Sequence, residues 1–297
     1  MRRIATAAAA LVLAATLSTG VASAAIKVGT DGSDALVGTK YADHLTGKRG
    51  DDTAAGKRGN DAYHYADGWG RDTVVDPGGT DTLDFSAHTG AVNGALCPEE
   101  PDVGSLGGRA GDYADNTVRF SSRIENIRGG PNSNTFYGCT GKNKLSGGGG
   151  YDMLVDLGGY GQESTDVPPS SDVYSGFTAT SSAQVLDTGG KGDVVNLSNF
   201  NSGGVEVRRF DHDGDGMAGS LVVLFDETGQ HAVIVFNQFE TDDYREAAFN
   251  GRVEQVRFKN ETISPKASSI PVREPNPLQS DAVEKPSAGL PEGGLLP

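Results

Sequence analysis

Hydrophobic positions in the first third of this chain recur every nine residues, which is not the spacing of an amphipathic helix. From Gly29 the sequence divides into four consecutive nine-residue units, and two more follow Tyr65 and Ala66 and end at Asp84. One inward-facing residue per unit, placed between turns, predicts short strands that stack in parallel about 4.8 Å apart around a narrow core. The eighth position of every unit supplies that apolar or aromatic residue: Leu36, Leu45, Ala54, Tyr63, Val74 and Leu83.

The polar positions of the units are equally regular. The fourth position is glycine in five of the six units, with Tyr41 as the exception. Because glycine adopts positive φ without steric cost, it favours a tight turn with carbonyl oxygens free to point inward. The sixth position is aspartate in all six units: Asp34, Asp43, Asp52, Asp61, Asp72 and Asp81.

Stacked turns place these aspartates in columns along the edges of the solenoid. Two carboxylates about 5 Å apart repel by a few kcal/mol at an effective dielectric of about 20, and no basic residue recurs at a position that would neutralise them throughout the array. Calcium would neutralise the columns, because this hard cation prefers carboxylate and carbonyl oxygens. The pattern therefore favours several bound Ca²⁺ ions. The alternative is a metal-free β-solenoid in which the aspartates are only turn residues.

A second array of nine-residue units follows Ile124 to Ile127. It has three units in frame from Gly129 to Val155, but the sixth positions are Asn134, Asn143 and Asp152. A further fragment keeps Asp172 and Tyr174 at the expected spacing. Asparagine offers an oxygen without a charge. This array is therefore expected to bind calcium weakly or only to continue the stack, with Asp152 as its one good ligand.

These units resemble the glycine-rich nonapeptide of the RTX, or haemolysin-type calcium-binding, proteins. The resemblance implies an all-β fold, a right-handed parallel β-roll in which two nonapeptides make one turn. It also implies that calcium lies between a unit and the one two places along, which pairs Asp34 with Asp52 and Asp43 with Asp61. The extra residues Tyr65 and Ala66 make the pairs Asp52–Asp72 and Asp61–Asp81 uncertain, and Tyr41 weakens the loop of Asp43.

The C-terminal part has longer apolar runs, at 221–225 and 232–236, separated by a segment that contains Gly229. This arrangement favours an antiparallel hairpin, and a further strand is expected around Val253 to Phe258. Such a segment resembles the antiparallel β cap that closes rolls of this family. A cap would cover the core and the strand edges at the open end.

An acidic loop lies inside this C-terminal part. Asp211, Asp213 and Asp215, followed by Gly216, match the first half of an EF-hand-like calcium loop. The twelfth position is Val222 instead of glutamate, so an acidic loop between strands without a metal is an equal alternative.

The N-terminus has the features of an export signal. Arg2 and Arg3 precede an apolar run, and Ala22-Ser23-Ala24 fits a cleavage site. No later stretch has the roughly 20 apolar residues of a membrane span. We therefore expect a secreted, extracellular protein that begins near Ala25 and does not insert into a membrane.

Amino-acid composition limits the classes of molecule that the protein is expected to bind. The net charge of −15 comes from 40 acidic and 25 basic residues, which argues against nucleic acid and anionic membranes as partners. An acidic surplus could also serve solubility alone. The two cysteines, Cys97 and Cys139, would form a disulfide in an oxidising compartment, or remain free thiols.

No catalytic motif is apparent: HExxH, GxSxG and a phosphate-binding loop are all absent from the sequence. We therefore expect a calcium-binding protein that is not an enzyme, although the insert between the arrays could hold a polysaccharide-acting site. The runner-up function is a surface adhesin or carbohydrate-binding module with a cell-surface or glycan partner. A cluster of exposed aromatic residues would favour that function. Trp69, Tyr63 and Tyr65 are the candidates, with a place in the core as the alternative for Tyr63.

The expected organisation has six parts. They are a signal peptide (1–24), a first RTX array (25–88), an insert (89–123), a degenerate second array (124–176), a β cap (177–260) and a disordered proline-rich tail (261–297).

Overall fold

Short strands separated by tight turns make up nearly all of the described structure. The computed structural model describes residues 23–96, 108–112, 116–120, 123–139, 141–155, 172–187, 193–210, 220–226, 231–236, 253–265 and 270. These residues form 22 β-strands in two sheets and one 3-10 helix, Ser202–Gly204.

The first sheet has 10 strands and collects alternate strands along the chain, nearly all of them parallel. In spatial order they are β1 (Ile26–Val28), β3 (His44–Thr46), β5 (Ala62–Ala66), β7 (Thr82–Ala87), β11 (Asn126–Arg128), β13 (Lys144–Ser146), β15 (Val173–Ser175), β17 (Val194–Leu197), β21 (Gln255–Phe258) and β22 (Thr262–Ile263).

The second sheet has 12 strands and runs from the first turn to the antiparallel C-terminal segment. In spatial order they are β2 (Ala35–Val37), β4 (Thr53–Ala55), β6 (Arg71–Val74), β10 (Thr117–Phe120), β9 (Gly108–Gly111), β8 (Asn93–Ala95), β12 (Thr135–Tyr137), β14 (Tyr151–Val155), β16 (Ser182–Leu186), β20 (Ala232–Val235), β19 (Ser220–Leu224) and β18 (Glu206–Phe210).

The expected β-roll with a C-terminal antiparallel segment is confirmed. Leu45 pairs with Tyr63, 18 residues on, so two nonapeptides separate neighbouring strands of one sheet. Tyr63 then pairs with Leu83, 20 residues on, and β5 has a register shift beyond His64. The two extra residues therefore lengthen β5 and do not break the stack.

The eighth-position side chains form the core, as the nine-residue pattern predicts. In each of the six units of the first array the eighth-position side chain points inward, and 9% or less of it is exposed. Tyr65, Trp69 and Phe85 widen the core beyond β5, where their rings lie 4.8 to 5.6 Å apart between centroids. Apolar burial along the whole roll is thus continuous.

The insert expected at 89–123 is part of the second sheet. Its strand β8 pairs in parallel with β12, and β10 pairs in parallel with β6. Between them β9 runs antiparallel to both. In the first sheet, β7 pairs directly with β11. The two arrays are therefore one continuous roll, and the insert fills the second sheet where the repeat is interrupted.

The roll also extends further than the boundary expected at residue 176. Strands β16, β17 and β21 join the two sheets in parallel, and each buries apolar side chains in the same core. The antiparallel part is the β18–β19–β20 meander together with β22. Within the tail expected from 261, β22 is paired and Ile270 is 8% exposed, because its apolar side chain packs on the core.

Two further expectations bear on the described residues. No helix among them is long and apolar enough to cross a membrane. Cys139 is disulfide-bonded, and the other cysteine of the chain, Cys97, lies outside the described residues. The backbone N–H of Leu96 donates to the carbonyl of Tyr137 at 2.9 Å, which brings the two segments side by side.

Candidate metal sites

Aspartates of successive turns are joined in columns by hydrogen bonds. The backbone N–H of Asp34 donates to Oδ1 of Asp52 at 2.8 Å, and the backbone N–H of Asp43 donates to Oδ1 of Asp61 at 2.6 Å. These are the two pairs that the family resemblance implies.

The two uncertain pairs are formed in the same way. The N–H of Asp52 donates to Asp72, and that of Asp61 donates to Asp81, each at 2.9 Å. The extra residues at 65 and 66 therefore leave the columns intact, because they are absorbed in the strand.

The second oxygen of several of these carboxylates has no protein partner. The Oδ2 atoms of Asp52, Asp61, Asp81 and Asp152 are buried without a hydrogen bond, and the four residues are 3% exposed or less. A buried carboxylate oxygen without a partner is costly, and native proteins rarely leave one. These atoms fit a cation that would coordinate them.

Backbone carbonyls converge on the same points. A Cβ added to Gly29 would lie 2.7 Å from the Gly47 carbonyl oxygen and 2.8 Å from Oδ2 of Asp34. A Cβ added to Gly38 would lie 2.5 Å from Oδ2 of Asp43 and 2.8 Å from the Gly56 carbonyl oxygen. Calcium binds oxygen at about 2.3–2.6 Å. The glycine at the first position of a unit therefore leaves open a cradle of oxygens with the spacing of a Ca²⁺ shell.

Burial changes the acidity of the columns. It raises the pKa of Asp72, Asp81 and Asp152 to about 7 and that of Asp61 to about 6. Neighbouring carboxylates add to the rise for Asp81, chiefly Asp76 and Glu125. Near neutral pH a proton therefore competes with a cation for each of these groups.

The raised pKa values predict how acid affects the roll without calcium. The folded state holds protons that the unfolded chain releases above its pKa of about 4, so unfolding free energy falls as pH rises from about 4 to 7. In chelator, the urea midpoint should be higher at pH 5.5 than at pH 8. Asp152→Asn should flatten this dependence, because it removes one of the carboxyl groups whose pKa burial raises in the folded state. A midpoint that rises with pH would contradict the assignment.

Asp34 and Asp43 differ from the later aspartates because nearby hydrogen-bond donors already contact their carboxylate oxygens. Oδ2 of Asp34 accepts bonds from the backbone and hydroxyl of Thr30 at 2.6 and 2.8 Å, and these bonds lower its pKa. Oδ2 of Asp43 accepts from the Thr39 backbone at 2.5 Å, and Oδ1 accepts from Ala25. The need for a cation is therefore stronger from Asp52 onward.

In the second array a side-chain amide takes the place that a cation would have. Nδ2 of Asn134 donates to the carbonyls of Asn132 and Gly147 at 2.5 and 3.0 Å. Nδ2 of Asn143 donates to the carbonyls of Glu125 and Lys142, each at 3.2 Å. These turns satisfy their carbonyl oxygens internally, which gives a physical reason for the weak binding expected there.

Asp43, Asp61 and Asp81 form the column that runs along the first sheet, called the first-sheet column here. This column also includes acids outside the predicted ligand set. Oε2 of Glu125 accepts from the N–H of Asp81 at 2.8 Å, and Oε2 of Glu254 accepts from that of Asp193 at 2.7 Å. Oδ1 of Asp193 in turn accepts from Asp172 at 2.7 Å. Asp193 is fully buried, and its burial raises its pKa. The column therefore continues to the C-terminal end of the roll.

A sequence signal for the two glutamates does exist. Residues 123–128 are Arg-Ile-Glu-Asn-Ile-Arg, and residues 252–257 are Arg-Val-Glu-Gln-Val-Arg. Each segment places its glutamate where a repeat has its sixth-position aspartate, just before a strand of the first sheet. A nine-residue search misses them because they lack the glycines.

The acidic loop with Asp211, Asp213 and Asp215 lies outside the described residues. The three aromatic candidates for a carbohydrate-binding surface are described, and all of them are buried. Tyr63, Tyr65 and Trp69 are 1%, 4% and 1% exposed. They pack in the core because the lengthened turn leaves space that large rings fill.

Comparison with known proteins agrees with this geometry. The family model for the RTX calcium-binding nonapeptide repeat matches 4 copies, over residues 28–63 and 121–154. A comparison with curated proteins gave no match. The matched segments are the parts of the roll that carry the first four aspartates and the Asn134–Asp152 column. The chain therefore contains RTX calcium-binding nonapeptide repeats in two stretches of one β-roll.

Proposed function

We propose that this protein is secreted and that calcium drives the folding of its roll. The observation that carries the proposal is the set of buried carboxylate oxygens without a protein partner at Asp52, Asp61 and Asp81. Calcium would supply the positive charge that these oxygens lack. It would be held by the carboxylates together with the first-position carbonyls of the neighbouring turn.

Calcium binding and folding are then one process. Without the ion, each turn brings another carboxylate onto the column at a cost in Coulomb energy and desolvation. The unfolded chain has no formed cradle, so the binding free energy adds to the stability of the fold. The expected export signal supports secretion, because external fluids hold far more calcium than the cytosol does. Residues 1–22 of that signal lie outside the described residues.

Circular dichroism tests the proposal. In excess chelator the mature chain is expected to lose part of its β signal and to unfold at a lower urea concentration, and millimolar calcium is expected to restore both. Magnesium at the same concentration is the matched control, because Mg²⁺ demands a smaller octahedral shell and dehydrates reluctantly. A β signal that is the same with calcium and with chelator would refute calcium-driven folding.

The proposal includes no catalytic role and no glycan partner. Because Tyr63, Tyr65 and Trp69 are buried in the core, they provide no aromatic surface for sugars.

A further inference from the structure

Asp76 occupies a repeat position where the four N-terminal units have glycine. The first positions of those units are Gly29, Gly38, Gly47 and Gly56, whereas the sixth unit begins with Asp76. In a turn that begins with glycine, this residue offers the column only its backbone carbonyl. An aspartate here adds a carboxylate, and its side chain extends into the oxygen cradle of the neighbouring turn.

Three carboxylates meet at this point of the first-sheet column. One oxygen from each of Asp61, Asp76 and Asp81 lies within 4.8 Å of the other two, and all three residues are buried. This separation is about twice a Ca–O distance, so one ion can contact all three. The cluster is not satisfied internally, because Oδ2 of Asp61 and Oδ2 of Asp81 are buried without a hydrogen-bond partner.

The oxygens around Gly56 mark the centre of the site. A Cβ added there would lie 2.5 Å from Oδ2 of Asp76, 2.5 Å from the Tyr63 hydroxyl oxygen, and closer still to Oδ2 of Asp61. One turn earlier, a Cβ on Gly38 would meet one carboxylate oxygen and one carbonyl oxygen. The later cradle therefore has more negative charge than the earlier one.

Tyr63 holds the additional carboxylate in place. Its hydroxyl donates to Oδ2 of Asp76 at 2.5 Å and accepts from the backbone N–H of Gly56 at 2.9 Å. The aspartate is thus oriented by a rigid core side chain that is 1% exposed.

We infer that Asp61, Asp76 and Asp81 form a three-carboxylate cation site that fills before the other sites of the roll. The inference rests on the proposed calcium binding and deepens it. Ligand charge tunes calcium affinity in oxygen sites, so a third carboxylate raises the affinity. Three negative charges also match a trivalent ion better than a divalent one, which gives this site a preference for lanthanides over its neighbours.

Terbium luminescence tests the inference, because the Tyr63 ring borders the site and can transfer excitation to a bound Tb³⁺ ion. Titration of the full mature chain should show a first phase of tyrosine-sensitised emission that saturates at one ion per chain. In Asp76→Asn the midpoint of this phase should move to at least tenfold higher Tb³⁺. Asp31→Asn removes the same charge from an exposed position and should leave the phase unchanged. A wild-type midpoint in Asp76→Asn would overturn the inference.

A second variant distinguishes loss of the cation site from misfolding of the roll. Asp76→Gly introduces the residue with which the four N-terminal units begin, and circular dichroism in saturating calcium reports whether the roll has formed. This variant should bind calcium with the affinity of the ordinary turns and should lose the early terbium phase. If Asp76→Gly keeps that phase, the inference fails while calcium binding by the repeats stands. If calorimetry detects no calcium binding to the wild type, the proposed function itself fails.

Discussion

Gly47→Ala is expected to remove one calcium ion from each chain and to destabilise the calcium-bound roll by about 3 kcal/mol, when calcium is at a hundred times its Kd. The added Cβ would overlap Oδ2 of Asp52, which is buried in the column without a partner. It would therefore occupy the cradle from which the ion is held. Calorimetric stoichiometry and urea unfolding in calcium measure the two effects.

Gly78→Ala is the matched control for this variant. A Cβ at Gly78 would meet no atom within 4 Å, and this glycine has no positive φ that would strain alanine. The Gly78→Ala variant should bind as many calcium ions as the wild type does. Equal calcium stoichiometry in Gly47→Ala and Gly78→Ala would show that the first-position cradles do not hold the ions.

Asn134→Asp is expected to convert a turn that is stable without metal into one that needs it. The Asn134 amide donates to the Asn132 and Gly147 carbonyls, and its Oδ1 accepts from the backbone of Val92 at 3.1 Å. A carboxylate would face those carbonyl oxygens without a donor, in a residue that is 1% exposed. Without calcium this should cost about 3 kcal/mol or more in unfolding free energy.

Calcium should reverse the loss in Asn134→Asp, because the new carboxylate completes the oxygen set of an ordinary repeat. One additional ion per chain is the expected stoichiometry. Asn201→Asp is the control, since it adds the same charge at an exposed side chain with no capping hydrogen bond. If calcium stabilised Asn134→Asp no more than it stabilises Asn201→Asp, the Asn134 amide would not occupy the place of a calcium ion in the wild type.

The repeat could be predicted from residue spacing because one side chain in nine decides the register. Leu45 and Tyr63 face the core at the predicted position, and Asp43 and Asp61 lie one above the other as the spacing requires. A period of nine with glycine turns leaves few alternatives, since any other register would bury the aspartates among apolar side chains.

Other parts of the roll could not be predicted, because their strands lack the nine-residue signal. Strand β9 consists of Gly108 to Gly111 and has no alternation, and its place in the second sheet depends on pairing with β8 and β10. Strands β16 and β17 are 31 and 21 residues from their partners in the preceding turn, so the connections conceal the stacking.

The candidate ligands were predicted where each residue acts through its own repeat position. Asp76 was missed because its role depends on three-dimensional placement, and Glu125 was missed because its segment lacks the glycines of the repeat. Asp76 is at a glycine position and becomes a ligand candidate only when Tyr63 directs it into the cradle. Glu125 enters the column from a segment 44 residues after Asp81.

Calcium titration by calorimetry tests the central claim most directly, because it counts ions instead of inferring them from stability. The mature chain, stripped of metal, should bind several Ca²⁺ ions per molecule, and Asp52→Asn and Asp81→Asn should each lower that number. The absence of binding heat at millimolar calcium, or a stoichiometry that neither substitution changes, would contradict the account.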